Sequence, residues 1–119
     1  MYAYRKMLPL EEIHKTKGKI CSYVLKCDGD AAHSYYIYCG YTKDVEYRML
    51  QHTDPPVELV SLRIHETPEE AMAAECANWN LWAGRLRNYD RVRGGRLNGT
   101  DPLKFAPRGW RPDHENTPP

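Results

Sequence analysis

The alternation of apolar and polar residues predicts three β-strands in the first part of the chain. Apolar, β-branched and aromatic residues concentrate in Ile20–Lys26 and in Ser34–Tyr41, and Cys27–Asp30 between them contains a turn signal. These two segments therefore predict a β-hairpin. Val57–His65 alternates well enough to be a third strand.

Two helices are predicted from their start and stop signals. Gly40 ends the second strand, and Thr42 or Asp44 can cap a helix that runs to about His52. A longer helix begins at residues 67–70 (Thr-Pro-Glu-Glu), which supply an N-cap, a proline at the first helical position and a capping-box glutamate. The sequence therefore predicts an α/β protein (α+β in arrangement) with a small three-stranded antiparallel sheet flanked by helices.

The long helix continues to about Leu86 and carries an acidic residue at the edge of its apolar stripe. The stripe is spaced three and four residues apart and comprises Met72, Cys76, Trp79, Ala83 and Leu86. At the angular spacing of an α-helix, Glu75 falls at the border of this buried arc. A carboxylate in that position is partly desolvated and can face a cleft.

Length and composition indicate one globular domain. We expect a lead-in at 1–19, a folded domain at 20–99 and a Pro-rich tail at 100–119, because 119 residues leave no room for a second domain. The sequence has no apolar run long enough to cross a membrane and no secretory signal, so a cytoplasmic protein is expected. The four cysteines lack zinc-site spacing and are interpreted as small buried side chains.

Positive charge is concentrated near the C-terminus. The net charge is only +1, yet residues 84–111 contain eight bases and two acids. Such a segment is typical of a phosphate-facing surface, and a solvated protein face explains it equally well. The candidate contacts in this segment are Arg85, Arg91, Arg93 and Arg96.

Seven residues follow one another in an order that resembles the GIY-YIG nuclease family. They are Tyr23 on the first strand, Tyr38 and Gly40 on the second, Arg48 and His52 on the first helix, Glu75 on the long helix, and Asn98 beyond it. The most specific part is the block Tyr-x-Gly-x-Thr-x-Asp-x-x-x-Arg-x-x-x-His at 38–52. The likeness covers roughly 20–99 and implies the family's GIY-YIG-like fold.

The chain departs from the family pattern at four places, one of which is a hairpin loop longer than the family's common spacing. The first motif reads Cys21-Ser22-Tyr23, so that only its tyrosine is retained. The second motif has Cys39 in place of the usual aliphatic residue. Tyr41 stands where some members of that family carry a lysine, so the role of that lysine cannot be assigned to this chain.

The resemblance implies a metal-dependent endonuclease that hydrolyses DNA phosphodiester bonds, on double-stranded or branched DNA. Glu75 would bind Mg²⁺ (or Mn²⁺) as a lone carboxylate ligand, and Arg48 would hold the phosphate. Tyr23 or Tyr38 would be the general base and the other would orient the water, with Tyr23 favoured. A homodimer would supply a second centre for the second strand.

The resemblance gives His52 and Asn98 supporting roles. His52 would accept a proton from the tyrosine or contact phosphate. Asn98 would support the metal side or a substrate oxygen.

Each candidate residue also has a purely structural interpretation. Tyr23 and Tyr38 are then ordinary strand tyrosines, and Arg48 pairs with Glu46 or another surface acid. His52 caps a helix end, Glu75 is a flank charge, and Asn98 is a turn residue.

Two non-enzymatic functions stay open at this point. The altered first motif favours a catalytically inactive GIY-YIG-like DNA-binding module. Trp110 and the Pro-rich tail suggest a protein-interaction domain.

Overall fold

A computed structural model describes residues 10–29, 35–51, 56–86 and 92–94, together with Lys104, Ala106, Gly109 and Trp110. The described residues form three helices and four strands, which confirms the predicted α+β class. In chain order the elements are α1 (Leu10–Lys15), β1 (Ile20–Asp28), β2 (Tyr35–Thr42), α2 (Val45–Gln51), β3 (Pro56–His65), α3 (Pro68–Leu86) and β4 (Val92–Gly94).

The sheet has four strands in the order β3-β1-β2-β4 and is mixed rather than purely antiparallel. β1 pairs antiparallel with β2 on one side and with β3 on the other, as the sequence predicts for three strands. The prediction of a three-stranded sheet is wrong because β4, which the sequence does not predict, adds a fourth strand parallel to β2. A three-residue strand is too short to show periodicity, and tertiary packing of Val92 beside Ile37 holds it in place.

The two faces of the sheet pack against different helices. The α2 face carries Tyr23, Leu25 and Tyr36, and α2 covers it with Val45 and Met49. The α3 face carries Val24, Ile37 and Cys39, and Ala83 of α3 packs against it, with Trp79 and Trp82 at its border. The four cysteines are all buried, as the sequence predicts.

Local hydrogen bonds explain where α2 and α3 begin. Asp44 Oδ1 accepts a bond of 3.0 Å from the backbone N–H of Tyr47, and the backbone N–H of Asp44 donates to Thr42 Oγ1 at 3.1 Å. At α3, Thr67 Oγ1 accepts a hydrogen bond of 3.2 Å from the backbone N–H of Glu70. The Thr67 hydroxyl also donates to the Glu70 carboxylate. The predicted N-caps are therefore confirmed, and the glutamate at the capping-box position, Glu70, bonds the Thr67 hydroxyl.

The C-terminal Trp110 belongs to the packed fold. It is 8% exposed and packs against Ala73, Ala74 and Ala77 of α3. The guanidinium carbon of Arg63 lies 5.4 Å from the centroid of its ring. A burial of this depth contradicts the interpretation of Trp110 as an exposed contact for partner proteins.

In the part of the chain that the structure describes, no helix combines the length and the apolar character needed to span a membrane.

Candidate functional site

The site is built on the pairing of Tyr23 in β1 with Gly40 in β2, which lie opposite each other in register. The Tyr23 ring lies across the Gly40 backbone. A Cβ atom at position 40 would lie 2.5 Å from Tyr23 Oη and 2.6 Å from its Cζ, closer than non-bonded atoms can approach. The glycine that ends the family-like motif is therefore required here because it leaves room for the tyrosine.

Arg48 of α2 connects the two motif tyrosines. Its Nε donates to Tyr23 Oη at 3.3 Å and its Nη2 donates to Tyr38 Oη at 3.0 Å. Its Nη1 donates to Gln51 Oε1 at 3.2 Å, one helical turn further on. The two tyrosine rings are stacked, with centroids 6.2 Å apart and planes 11° apart. We call Tyr23, Tyr38 and Arg48 the Tyr–Arg cluster.

The electrostatics of the Tyr–Arg cluster are dominated by the burial of Tyr23. Desolvation raises the pKa of Tyr23 to about 12, and the hydrogen bond from Arg48 only partly offsets that effect. The bond to Tyr23 in turn raises the pKa of Arg48 above its ordinary value. The chain's own groups therefore hold Tyr23 protonated and Arg48 charged.

Solvent reaches the Tyr–Arg cluster unequally. Tyr23 is 1% exposed, whereas Tyr38 and Arg48 are half-buried. A ligand from solution therefore meets Tyr38 and Arg48 before it meets Tyr23.

Glu75 is half-buried on α3, as its place at the edge of the apolar stripe predicts. Although α3 packs on the other face of the sheet, the carboxylate charge reaches the Tyr–Arg cluster. It is the smallest of the effects that raise the pKa of Tyr23, and it also raises the pKa of Cys39. The charge of Glu75 therefore affects the ionisation of Tyr23.

The residues near Glu75 fit a metal ion only as a single-carboxylate site. Among the described residues, no group of three or more His, Cys, Asp or Glu side chains lies close enough together to bind one ion. A lone carboxylate leaves the other coordination positions to water and substrate oxygens, which suits Mg²⁺.

Arg48 does not form the surface ion pair that its structural interpretation predicts. Glu46 instead lies beside His14, with Oε2 3.8 Å from Nδ1. Arg48 bonds Gln51 and the two tyrosines, so the pairing of Arg48 with Glu46 is wrong.

The other candidates divide into two groups. His52, Arg91, Arg96 and Asn98 lie outside the described residues. Arg85 and Arg93 are both exposed and each stacks on an aromatic ring, Arg85 on Trp82 at 5.1 Å and Arg93 on Tyr36 at 4.0 Å.

Sequence reasoning missed a buried polar pair at the departure from the family motif. Ser22 Oγ and His65 Nε2 lie 2.7 Å apart, and both residues are buried. A serine between apolar residues of β1 and a histidine at the end of β3 were the available signals. Ser22 of β1 is thus bonded to the neighbouring strand β3.

Comparison with models of known protein families, with curated proteins and with solved structures finds no match to this chain.

Proposed function

We propose that this protein is a metal-dependent endonuclease of the GIY-YIG type that hydrolyses phosphodiester bonds in double-stranded or branched DNA. The observation that carries the proposal is the guanidinium of Arg48, which donates to the hydroxyls of both Tyr23 and Tyr38. The same three residues carry the resemblance in the sequence. Their assembly into one partly exposed cluster gives that resemblance a geometric basis.

Arg48 is suited to bind a phosphate. Its side chain is half-buried and its orientation is fixed by three hydrogen bonds. A guanidinium has more N–H donors than these three bonds use, so it can also donate to a phosphate oxygen. Such charge-assisted bonds strengthen as negative charge develops on the phosphate.

The burial of Tyr23 favours Tyr38 as the hydroxyl that meets the attacking water. Tyr23 has a pKa of about 12 and is 1% exposed, which opposes a general-base role for it. Tyr38 is bonded to the same guanidinium and is half-buried, within reach of solvent. Tyr23 is then a buried residue that positions the Arg48 guanidinium through their hydrogen bond.

Glu75 would hold the divalent cation, Mg²⁺ or Mn²⁺. When bound, the cation supplies Lewis-acid stabilisation of the leaving oxygen. The protein's contribution is one half-buried carboxylate whose charge reaches Tyr23.

By resemblance, the proposal also gives His52 and Asn98 supporting roles, in proton transfer or phosphate contact and in support of the metal side. A homodimer would cut both strands of a duplex. A cytoplasmic location is part of the same proposal.

A plasmid-nicking assay tests the proposal. Supercoiled plasmid and a branched duplex are incubated with Mg²⁺ and the wild type, Arg48→Ala or Glu75→Ala. Matched controls are Lys17→Ala and Glu69→Ala, which remove the same charges at exposed positions outside the Tyr–Arg cluster. We expect cleavage by the wild type and both controls, loss of cleavage in both site variants, and loss on chelation of the metal. Cleavage that survives in Arg48→Ala would exclude this site.

The second candidate function is a catalytically inactive DNA-binding module of the same fold. The observation that favours it is the burial of Tyr23 together with its raised pKa. It predicts DNA binding without cleavage by the wild type in Mg²⁺ and in Mn²⁺, on every substrate.

A further inference from the structure

Strand β4 places Arg93 on the α2 face of the sheet, beside the Tyr–Arg cluster. β4 is parallel to β2, with Ile37 aligned to Val92 and Tyr38 aligned to Arg93. Aligned residues of neighbouring strands project to the same side, and successive residues alternate. Val92 is buried with Ile37 on the α3 face, so Arg93 projects to the α2 face with Tyr38.

A stacking contact fixes the position of the Arg93 charge. Its guanidinium carbon lies 4.0 Å from the centroid of the Tyr36 ring, within the range of a cation–π interaction. Tyr36 is 5% exposed and belongs to the core under the α2 face, whereas Arg93 is exposed. Arg93 therefore presents an oriented guanidinium to solvent on a rigid base.

Two guanidinium groups thus lie on the α2 face at β2, one bonded to Tyr38 and the other stacked on Tyr36. Arg48 approaches from α2 and bonds its hydroxyl, and Arg93 stands on the adjacent strand, whose backbone is about 4.8 Å away. Tyr38 is the more exposed of the two motif tyrosines. A phosphate held at Arg48 would therefore lie beside a second cationic group.

We propose that Arg93 binds the phosphate next to the one held by Arg48, so that the substrate strand crosses from β2 to β4 over the α2 face. This inference rests on the proposed function and adds the path that the substrate strand follows across the sheet. The enzyme then requires at least two consecutive phosphates for full activity. A substrate with a single phosphodiester would bind at Arg48 without contacting Arg93.

Lys26 provides the matched control. Its ammonium group also stacks on a tyrosine ring, 4.7 Å from the centroid, but that ring is Tyr35, which packs on the α3 face. Lys26 and Arg93 are therefore cations stacked on tyrosine rings at opposite faces of the sheet. Only Arg93 is expected to act with Arg48.

The test compares two substrates that differ in their number of phosphates. One is a DNA duplex, and the other is the p-nitrophenyl ester of thymidine 5′-phosphate, which has a single phosphodiester. We expect Arg93→Ala to lower kcat/KM on the duplex by about 10- to 100-fold, the usual effect of one charge-assisted contact, and to leave the ester unchanged. The slope of log affinity for the duplex against log salt concentration should fall by about 0.9. Lys26→Ala should behave as the wild type on both substrates.

Activity on the ester also reports whether the Arg93 variant is folded. If Arg93→Ala proves unstable, Arg93→Gln keeps a planar polar group against Tyr36 and carries the same expectation. An equal loss on both substrates, or no loss on the duplex, would overturn the role of Arg93 and leave the proposed function standing. Failure of the wild type to cleave the duplex would instead overturn the proposed function, and this inference with it.

Discussion

The ring of Tyr23 fills the space that a side chain at position 40 would need, with its hydroxyl oxygen 2.5 Å from where a Cβ atom would lie. Gly40 therefore has a role beyond ending a strand. It allows the tyrosine to cross β2 and reach the guanidinium of Arg48. Gly40 and Arg48 are therefore linked through one buried ring.

Gly40→Ala tests this relationship. The new methyl group must displace the Tyr23 ring, so we expect a loss of about 1–3 kcal/mol in the free energy of unfolding. The measurement is urea denaturation. Gly84→Ala is the control, because no atom lies within 4 Å of its added Cβ and alanine favours a helix, so stability should stay equal or rise by up to about 1 kcal/mol. Equal stability of Gly40→Ala and the wild type would contradict the crossing of the ring over the glycine.

The raised pKa of Tyr23 predicts a loss of stability in alkaline solution. The unfolded chain releases the phenol proton near pH 10, whereas the folded protein holds it to about pH 12. Below pH 10 both states are protonated, so the stabilisation is fully present there. Between pH 10 and pH 12 only the unfolded state loses the proton, and stability falls as pH rises.

Tyr23→Phe isolates this effect, because other alkaline titrations, such as that of Cys39 with its raised pKa, cancel in the comparison. The wild type should lose about 2–3 kcal/mol more than the variant between pH 9 and pH 12, as two pKa units imply. The measurement is urea denaturation at a series of pH values. Parallel pH profiles for the two proteins would show that Tyr23 is not held protonated by burial.

Truncation of Trp110 tests whether the C-terminal segment is part of the fold. Trp110→Ala removes a ring that packs on three alanines of α3 and contacts Arg63, so we expect a loss of about 2–4 kcal/mol. Lys104→Ala, at an exposed position of the same segment, should change stability by less than about 0.5 kcal/mol. Thermal or urea denaturation measures both, and a neutral Trp110→Ala would mean that this segment does not support α3.

Elements with local signals could be predicted from the sequence. The cap at Asp44 and the capping box at Thr67 depend on side chains within three residues of the backbone groups they bond. The hairpin and β3 follow from residue type and alternation. The apolar stripe of α3 likewise placed Glu75 at a half-buried position.

Features that depend on distant residues could not be predicted. β4 has three residues, and its position follows from the packing of Val92 against Ile37. The depth of Tyr23 depends on α1 and α2, whose Ile13 and Val45 join the core beneath it. Spacing places Tyr23 on a strand and Arg48 on a helix, but only the fold brings them within hydrogen-bond distance.

We propose that Arg48, held by Tyr23 and Tyr38, binds the phosphate of the phosphodiester that is cleaved. The most direct test is the single-turnover rate of cleavage of an end-labelled DNA duplex at saturating protein, with Mg²⁺, for the wild type and for Arg48→Lys. Lysine keeps the positive charge but cannot bond both hydroxyls and a phosphate in one plane. We predict a rate at least about 100-fold lower for Arg48→Lys, the scale of losing one transition-state donor, with the fold unchanged. Equal rates for the two proteins, or no cleavage by the wild type, would contradict the claim.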